Sequence, residues 1–480
     1  VRHSRRKRSG FRPRRTLLPF FFRLRKLKVC EYLGYLQKTQ YLPAEEIVEL
    51  QLAKLRELIR HALQTVPYYR EVFTSRKISA EDIRTLDDVK LLPILTKEQI
   101  VSMPRSTFLS PGEGPAFAIR KTSGTTGQPV EVLVDREAYA WSVAARYRCE
   151  QWHSIKIGDR QARLWGRPHD RRSRWRQSIR DLSLGRKTIS SNTIDSASLR
   201  REVRRILSYK PDYIYGYTSM ILALAEHLTP PPKSLNTLKL KAVICTAEQL
   251  YPFQKRFLKE VFACPVVDEY GCSETDILAF DCEYGRRHII AENVLLETIN
   301  RQDSGIGEIL VTDLNNRLMP LIRYKLGDLG FISTDTCPCG RGLPILSSIE
   351  GRSTDQYILT PDGRKIHSVI FPHLLDELAG QGISTKQFRV VQKELHTIMF
   401  YIVPQNCEDC PRIDSLISMK LARQLPKEMR LETVYVDHID SPSEKFSYFE
   451  PYHEGRELWG RAPLGRFQGG REGDVAHSGG

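Results

Sequence analysis

The stretch KTSGTTGQPVEVLVD, residues 121–135, joins six consecutive Thr, Ser and Gly residues to a run rich in β-branched side chains. Glycine permits positive φ and close approach, so successive N–H groups of such a loop can wrap phosphate oxygens. The best-known loop of this kind ends in Gly-Lys-Ser/Thr ahead of a helix. Here Gln128 stands where that Lys would be and a strand follows, which disfavours a kinase or ATPase of that class. Taken alone, the loop fits a hairpin turn at least as well as a nucleotide cradle.

Outward from the loop, short β-branched runs (EVLVD, YIYGY, KAVICTA, PVVDEYG, GEILVTDL) alternate with helical stretches between about 80 and 350. That alternation predicts an α/β domain whose sheet is covered by helices. Upstream, Ile47, Leu50, Leu55, Leu58, Ile59, Ala62, Leu63 and Val66 fall on one face of a helix that ends near VPYY. After Gly351 the texture changes to QFRVVQ, HTIMFYIVP, a helix from about Ile413 to Leu425, and ETVYVDHI, a small α+β unit with a hairpin. The expected division is a basic, disordered arm over 1–40, a large domain over 41–352, a small mobile domain over 353–457 and a disordered tail over 458–480.

The chain has 480 residues and a formal charge of +16, but residues 1–28 hold twelve Arg or Lys and no acid, leaving only +4 for the rest. A nucleic-acid partner would therefore rest on the arm alone, and no specific nucleic acid is expected. The arm reads as dispensable or as a peripheral membrane contact; its apolar centre LLPFFF is too short to span a bilayer, and no later run is long enough. Ten cysteines without a signal-like segment imply a reduced, cytoplasmic setting, where close Cys pairs read as metal ligands first.

The loop does not stand alone. TSGTTGQP, EYGCSET at 269–275, RYKLGDLG at 323–330 and EGRSTDQY at 350–357 resemble, in this order, the phosphate loop, Tyr-Gly-x-Ser/Thr-Glu, Tyr-x-x-Gly-Asp and Gly-Arg hinge segments of the adenylate-forming superfamily. TVPYYREVF, LPILTKEQI, TAEQL and CPCGRG resemble its phenylacetate-CoA ligase-like branch, which includes relatives associated with capsular polysaccharide biosynthesis. The resemblance spans roughly residues 40–450. It implies a large multi-sheet α/β domain of adenylate-forming type with a small α+β domain. The reaction it implies is attack of a carboxylate on ATP, giving an acyl-adenylate and pyrophosphate, then acyl transfer, with coenzyme A the expected acceptor.

Each step asks for particular groups. Ser123, Gly124, Thr125, Thr126 and Gly127 would cradle the β- and γ-phosphates. Glu274 is the expected magnesium ligand, with Ser273, Thr275 and Gly271 beside it; a helix cap at Ser273 is the alternative. Asp328 suits the ribose diol, although LGDLG is also a good turn. Tyr270, with Thr246, Ala247 and Glu248, would enclose adenine, or Tyr270 is core. Arg352 matches the hinge Arg and Asp355 its pivot. Lys445, in SPSEKFSYFE, matches the mobile catalytic Lys, with Glu444 where the family carries Gly. Tyr215, Gly216 and Tyr217 would line the acyl pocket or belong to the core.

Cys282, His288, Cys337 and Cys339 together offer three thiolates and one imidazole, the chemistry of structural zinc; pairing of Cys337 and Cys339 with Cys407 and Cys410, or no site, are the alternatives. The basic stretch 171–187, with Trp175, reads as a solvated helix face before it reads as a surface for coenzyme A phosphates or a polyanionic glycan. Two readings compete with the CoA ligase: an adenylate-forming enzyme with an amine acceptor, and a non-catalytic nucleotide-binding scaffold in polysaccharide assembly.

Overall fold

The computed structural model describes residues 14–121, 130–165, 171–189, 196–229, 238–301, 305–352, 357–439 (with breaks at 369, 372–373, 376–377, 379–380, 384, 423–424 and 438) and 449–452. The chain divides into two compact units, Val1–Leu250 with Lys255–Gly351, and Tyr251–Gln254 with Arg352–Gly480.

The large unit opens with four helices, α1 (Arg14–Leu24), α2 (Val29–Thr39), α3 (Ala44–Thr65) and α4 (Pro67–Ser75). The first two correct the expectation of a disordered arm over 1–40. Leu18, Phe22, Leu27, Val29, Leu33 and Leu36 are buried in one cluster with Ala140, Ala144 and Ala145, and Tyr32 stacks on Trp141 at 4.2 Å. The cationic residues mask an apolar period that has a small-residue surface to pack against. Residues 1–13 and the tail from 453 lie outside the described residues.

A short hairpin, β1 (Ala118–Lys121) and β2 (Glu131–Val134), pairs Lys121 with Glu131 in register. A helix, α5 (Arg136–Trp152), follows, capped by the Asp135 carboxylate accepting from the Ala138 N–H at 2.7 Å. Strands β3 (Gln161–Leu164), β4 (Arg186–Ile189), β5 (Tyr213–Tyr217), β6 (Val243–Thr246) and β7 (Val266–Cys272) are parallel neighbours in the order β4-β3-β5-β6-β7. Antiparallel β8 (Asp276–Asp281) and β9 (Arg287–Ile289) continue the sheet. Beyond them lie β10 (Val294–Ile299), β11 (Gly307–Asp313), β12 (Tyr324–Ser333) and β13 (Ile345–Arg352), giving eleven strands. The chain visits β4 on one side of β3 and β5 on the other, so the strand order reverses there. In open α/β sheets that reversal leaves a crevice at the carboxyl ends of the strands.

The small unit holds a four-stranded sheet in which Thr385–Glu394 and Thr397–Pro404 form the antiparallel centre, and Arg430–Tyr435 and Phe449–Glu450 the parallel flanks. One of its helices is Cys410–Leu421, which begins a few residues earlier than the periodicity suggested, where Pro411 fits the first turn, and ends before Leu425. Among the described residues no helix is long and apolar enough to cross a membrane.

Candidate active site

Two of the four matched segments, EYGCSET and RYKLGDLG, meet within the large unit. The Tyr270 hydroxyl, at the end of β7, donates to Asp328 Oδ2 on β12 at 2.7 Å. Burial, then the Asp328 charge, raises the Tyr270 pKa well above its usual value, so the phenol stays a donor. Glu274 lies in the tight turn joining β7 to β8, where Oε1 accepts from the buried Tyr324 hydroxyl at 3.1 Å. No helix begins at Ser273, so Glu274 is not a helix cap. The turn forces Gly271: a Cβ there would come within 2.6 Å of the Asp276 carbonyl oxygen. Gly327, next to Asp328, has φ +83°, the left-handed conformation that favours glycine.

Residues 122–129 lie outside the described residues, with Ser123, Gly124, Thr125, Thr126 and Gly127 among them; their base does not. Arg120, on β1, donates to the Glu274 carbonyl at 3.4 Å and to Ser142 Oγ at 2.8 Å, and faces Asp276 Oδ2 at 3.5 Å. The hairpin that carries the loop is thereby tied to the turn that carries Glu274.

Sequence reasoning missed the cluster that holds this turn. Arg146 on α5 donates to Glu269 Oε2 (2.7 Å), Tyr215 Oη (2.9 Å) and Asp276 Oδ1 (2.6 Å). Burial works against its charge, but Glu269, Tyr215 and Asp276 more than offset that and raise its pKa well above the ordinary value. Glu269 also accepts from Tyr215 (2.8 Å) and Thr246 (3.0 Å). Glu269 belongs to the quoted EYGCSET and was open to notice, whereas no local pattern marks Arg146. Behind it, burial pushes Glu150 up to about 7, against the opposing pull of Arg146.

Tyr215 thus spends its hydroxyl inside the network and is buried. Gly216 is required by strand proximity, since a Cβ would lie 2.4 Å from the Leu164 carbonyl oxygen. Tyr217 stacks on Trp165 at 4.1 Å, at the ends of β5 and β3, where the sheet order reverses. Trp165, which sequence reasoning also missed, covers Arg163 at 4.3 Å. Burial and then the like charge of Arg186 lower that guanidinium to about 10. Thr246 ends β6, Ala247 follows at φ +66°, and Glu248 accepts from the Ser219 N–H at 2.7 Å, which commits its carboxylate to the helix Thr218–His227. Arg352 ends β13; Asp355, Glu444 and Lys445 lie outside the described residues.

The thiol cluster is assembled. The ligand atoms of Cys282, His288, Cys337 and Cys339 all lie within 4.8 Å of one another. Cys282 and Cys337 Sγ are 3.7 Å apart, far beyond a disulfide and close to the ~3.8 Å edge of a tetrahedron with ~2.3 Å zinc–sulfur bonds. His288 Nδ1 contacts the Leu343 carbonyl at 2.9 Å, leaving Nε2 directed at Cys339 Sγ at 3.2 Å. Burial lowers the His288 pKa, which favours the neutral ligand form. Cys407 and Cys410 belong to the other compact unit.

This arrangement of a large parallel-centred sheet and a small α+β unit is the fold of adenylate-forming CoA ligases. The structure of 2-hydroxyisobutyryl-CoA ligase in the postadenylation state matches at a TM-score of 0.70 and 19% identity, covering 87% of this chain and 92% of that one. In sequence, phenylacetate-coenzyme A ligase of Thermus thermophilus is 25% identical over 348 residues, 68% of this chain and 74% of that protein. Protein CapK of Staphylococcus aureus is 22% identical over 416 residues, 82% of this chain and 87% of its own length. Residues 358–449 match the CapK C-terminal domain. The chain is a homologue of phenylacetate-CoA ligase and of CapK.

Proposed function

We propose that the protein is an adenylate-forming ligase that activates a carboxylic acid with ATP and passes the acyl group to coenzyme A. A carboxylate oxygen bonds to the α-phosphorus as pyrophosphate leaves; the coenzyme A thiol then adds to the acyl carbonyl and AMP departs. The observation that carries this reading is the meeting of Asp328, Tyr270, Glu274 and the base of the 122–129 loop at one end of the sheet.

In this scheme Asp328 accepts the ribose hydroxyls, held in place by Tyr270, whose ring offers adenine a flat apolar face. Residues 123–127 donate to the departing pyrophosphate. Glu274 would hold magnesium, which neutralises charge on the phosphates. Lys445 stabilises charge at the α-phosphate, and Arg352 serves the hinge. Trp165 and Tyr217 form the aromatic side of the acyl site. Cys282, His288, Cys337 and Cys339 fit a closed structural zinc, which would tie the β8–β9 turn to the segment after β12. The ten free cysteines accord with a reduced, cytoplasmic setting.

The test is pyrophosphate release from ATP and magnesium across aryl, fatty, hydroxy and sugar acids, with and without coenzyme A. Asp328→Ala should raise the KM for ATP about tenfold or more, the scale of lost charge-assisted hydrogen bonds. Lys445→Ala should slow adenylation more than thioester formation. Release that is indifferent to coenzyme A but responds to an amine would replace the acceptor; ATP binding without release from any acid would favour a scaffold.

A further inference from the structure

The helix α6 (Arg171–Ser183) is turned inside out for a water-facing element. Its polar Gln177 reaches Thr188 of β4 at 3.5 Å and its Asp181 is buried, whereas Trp175, Ile179 and Leu182 are 66%, 50% and 68% exposed. Spacings of four and three place these three side chains on one stripe, opposite the inward face. The helix carries Arg171, Arg172, Arg174, Arg176 and Arg180 against Asp181 alone. Arg180 reaches the Tyr139 hydroxyl of α5 at 3.5 Å. Tyr139 also packs on Phe117 at 4.9 Å, and Arg25, just past α1, lies over the Phe117 ring at 5.0 Å; on α1 itself Phe20 and Leu24 are 64% and 72% exposed.

We propose that α6, with α1 adjoining, docks the protein on an anionic lipid surface. A soluble polyanion would pair with the arginines and leave the indole and aliphatic stripe in water. A bilayer interface supplies hydrocarbon for Trp175, Ile179 and Leu182 and phosphates for the arginines that the helix carries in sequence. Excess arginine without exposed acid complements anionic headgroups, and each arginine near such a surface changes partition about fivefold. The reading is independent of the proposed reaction.

The test is co-sedimentation of the full chain with vesicles of phosphatidylcholine alone or mixed with phosphatidylglycerol. Binding to the anionic vesicles only, weakening with salt, is expected. Trp175→Gln/Ile179→Gln/Leu182→Gln should weaken it about tenfold or more with an unchanged Tm, as these side chains are exposed. A chain lacking residues 1–13 should still bind, and brominated lipid should quench a fluorescence component that Trp175→Phe removes. Equal binding by the triple variant, or loss of all binding with residues 1–13, would overturn the assignment. So would a wild-type dimer that the triple variant abolishes while neither protein binds vesicles, since the stripe would then be a contact between copies.

Discussion

Around Arg146, a cation and two carboxylates satisfy one another at 2.6–2.7 Å; at Cys282, His288, Cys337 and Cys339, four lone-pair donors converge with no cation among the four. Both clusters sit in the same unit, the first where β7 turns into β8 and the second beyond the far end of β8. In the first, Arg120 supplies a second cation at Asp276 (3.5 Å), so both carboxylates have a cationic partner within the protein. The second gathers four donors of the type that hold zinc, so a bound cation is the contrast to test. Buried polar atoms reveal a missing group by what their neighbours fail to supply.

The largest effect expected from breaking this contrast is at the thiols. Cys337→Ser/Cys339→Ser should reduce bound zinc, measured by elemental analysis of untagged protein, from about one equivalent to none, and lower Tm sharply. The binding free energy of a structural zinc is on the order of 10 kcal/mol, although a large domain will not lose all of it. Wild-type protein free of zinc would make the cluster a coincidence of packing.

Next in size, Arg146→Met should cost about 3–5 kcal/mol in urea denaturation, because Glu269 and Asp276 lose their common partner. Asp276 is held below its usual pKa against burial by Arg146, then Arg120, so losing Arg146 should raise it. A cost under about 1 kcal/mol would show the network to be dispensable.

The smallest effect concerns Glu150. Its folded carboxyl titrates at about 7 against an ordinary 4.5. The native state then keeps a proton that the unfolded chain releases, so this contribution to stability is full below about pH 4 and is lost as pH rises through 7. Glu150→Gln stays neutral throughout, and its Tm should fall less than that of the wild type between pH 5 and 8, by the equivalent of up to about 3 kcal/mol. Parallel pH profiles would place the Glu150 titration elsewhere.

What the sequence displayed depended on how local the signal was. The alternating strands and the EYGCSET, RYKLGDLG and CPCGRG segments were legible because strand period, turn glycines and ligand types are written in consecutive residues. Helices α1 and α2 were missed because twelve cations in 28 residues argued for a solvated arm, and the apolar period needed Ala140, Ala144 and Ala145 as its counterpart. Arg146 and Trp165 carried no local mark, since their partners lie on other strands far along the chain.

The sequence by itself determined the class of fold and offered the segments around Glu274 and Asp328 and the candidate thiol donors, because side-chain chemistry and local backbone preference belong to each residue. Only the tertiary structure decided that Tyr215 is locked to Arg146 and Glu269 while Tyr217 meets Trp165, and that α6 turns its apolar stripe outward. Those outcomes depend on which distant surfaces meet, and burial, pairing and exposure exist only once the chain has packed.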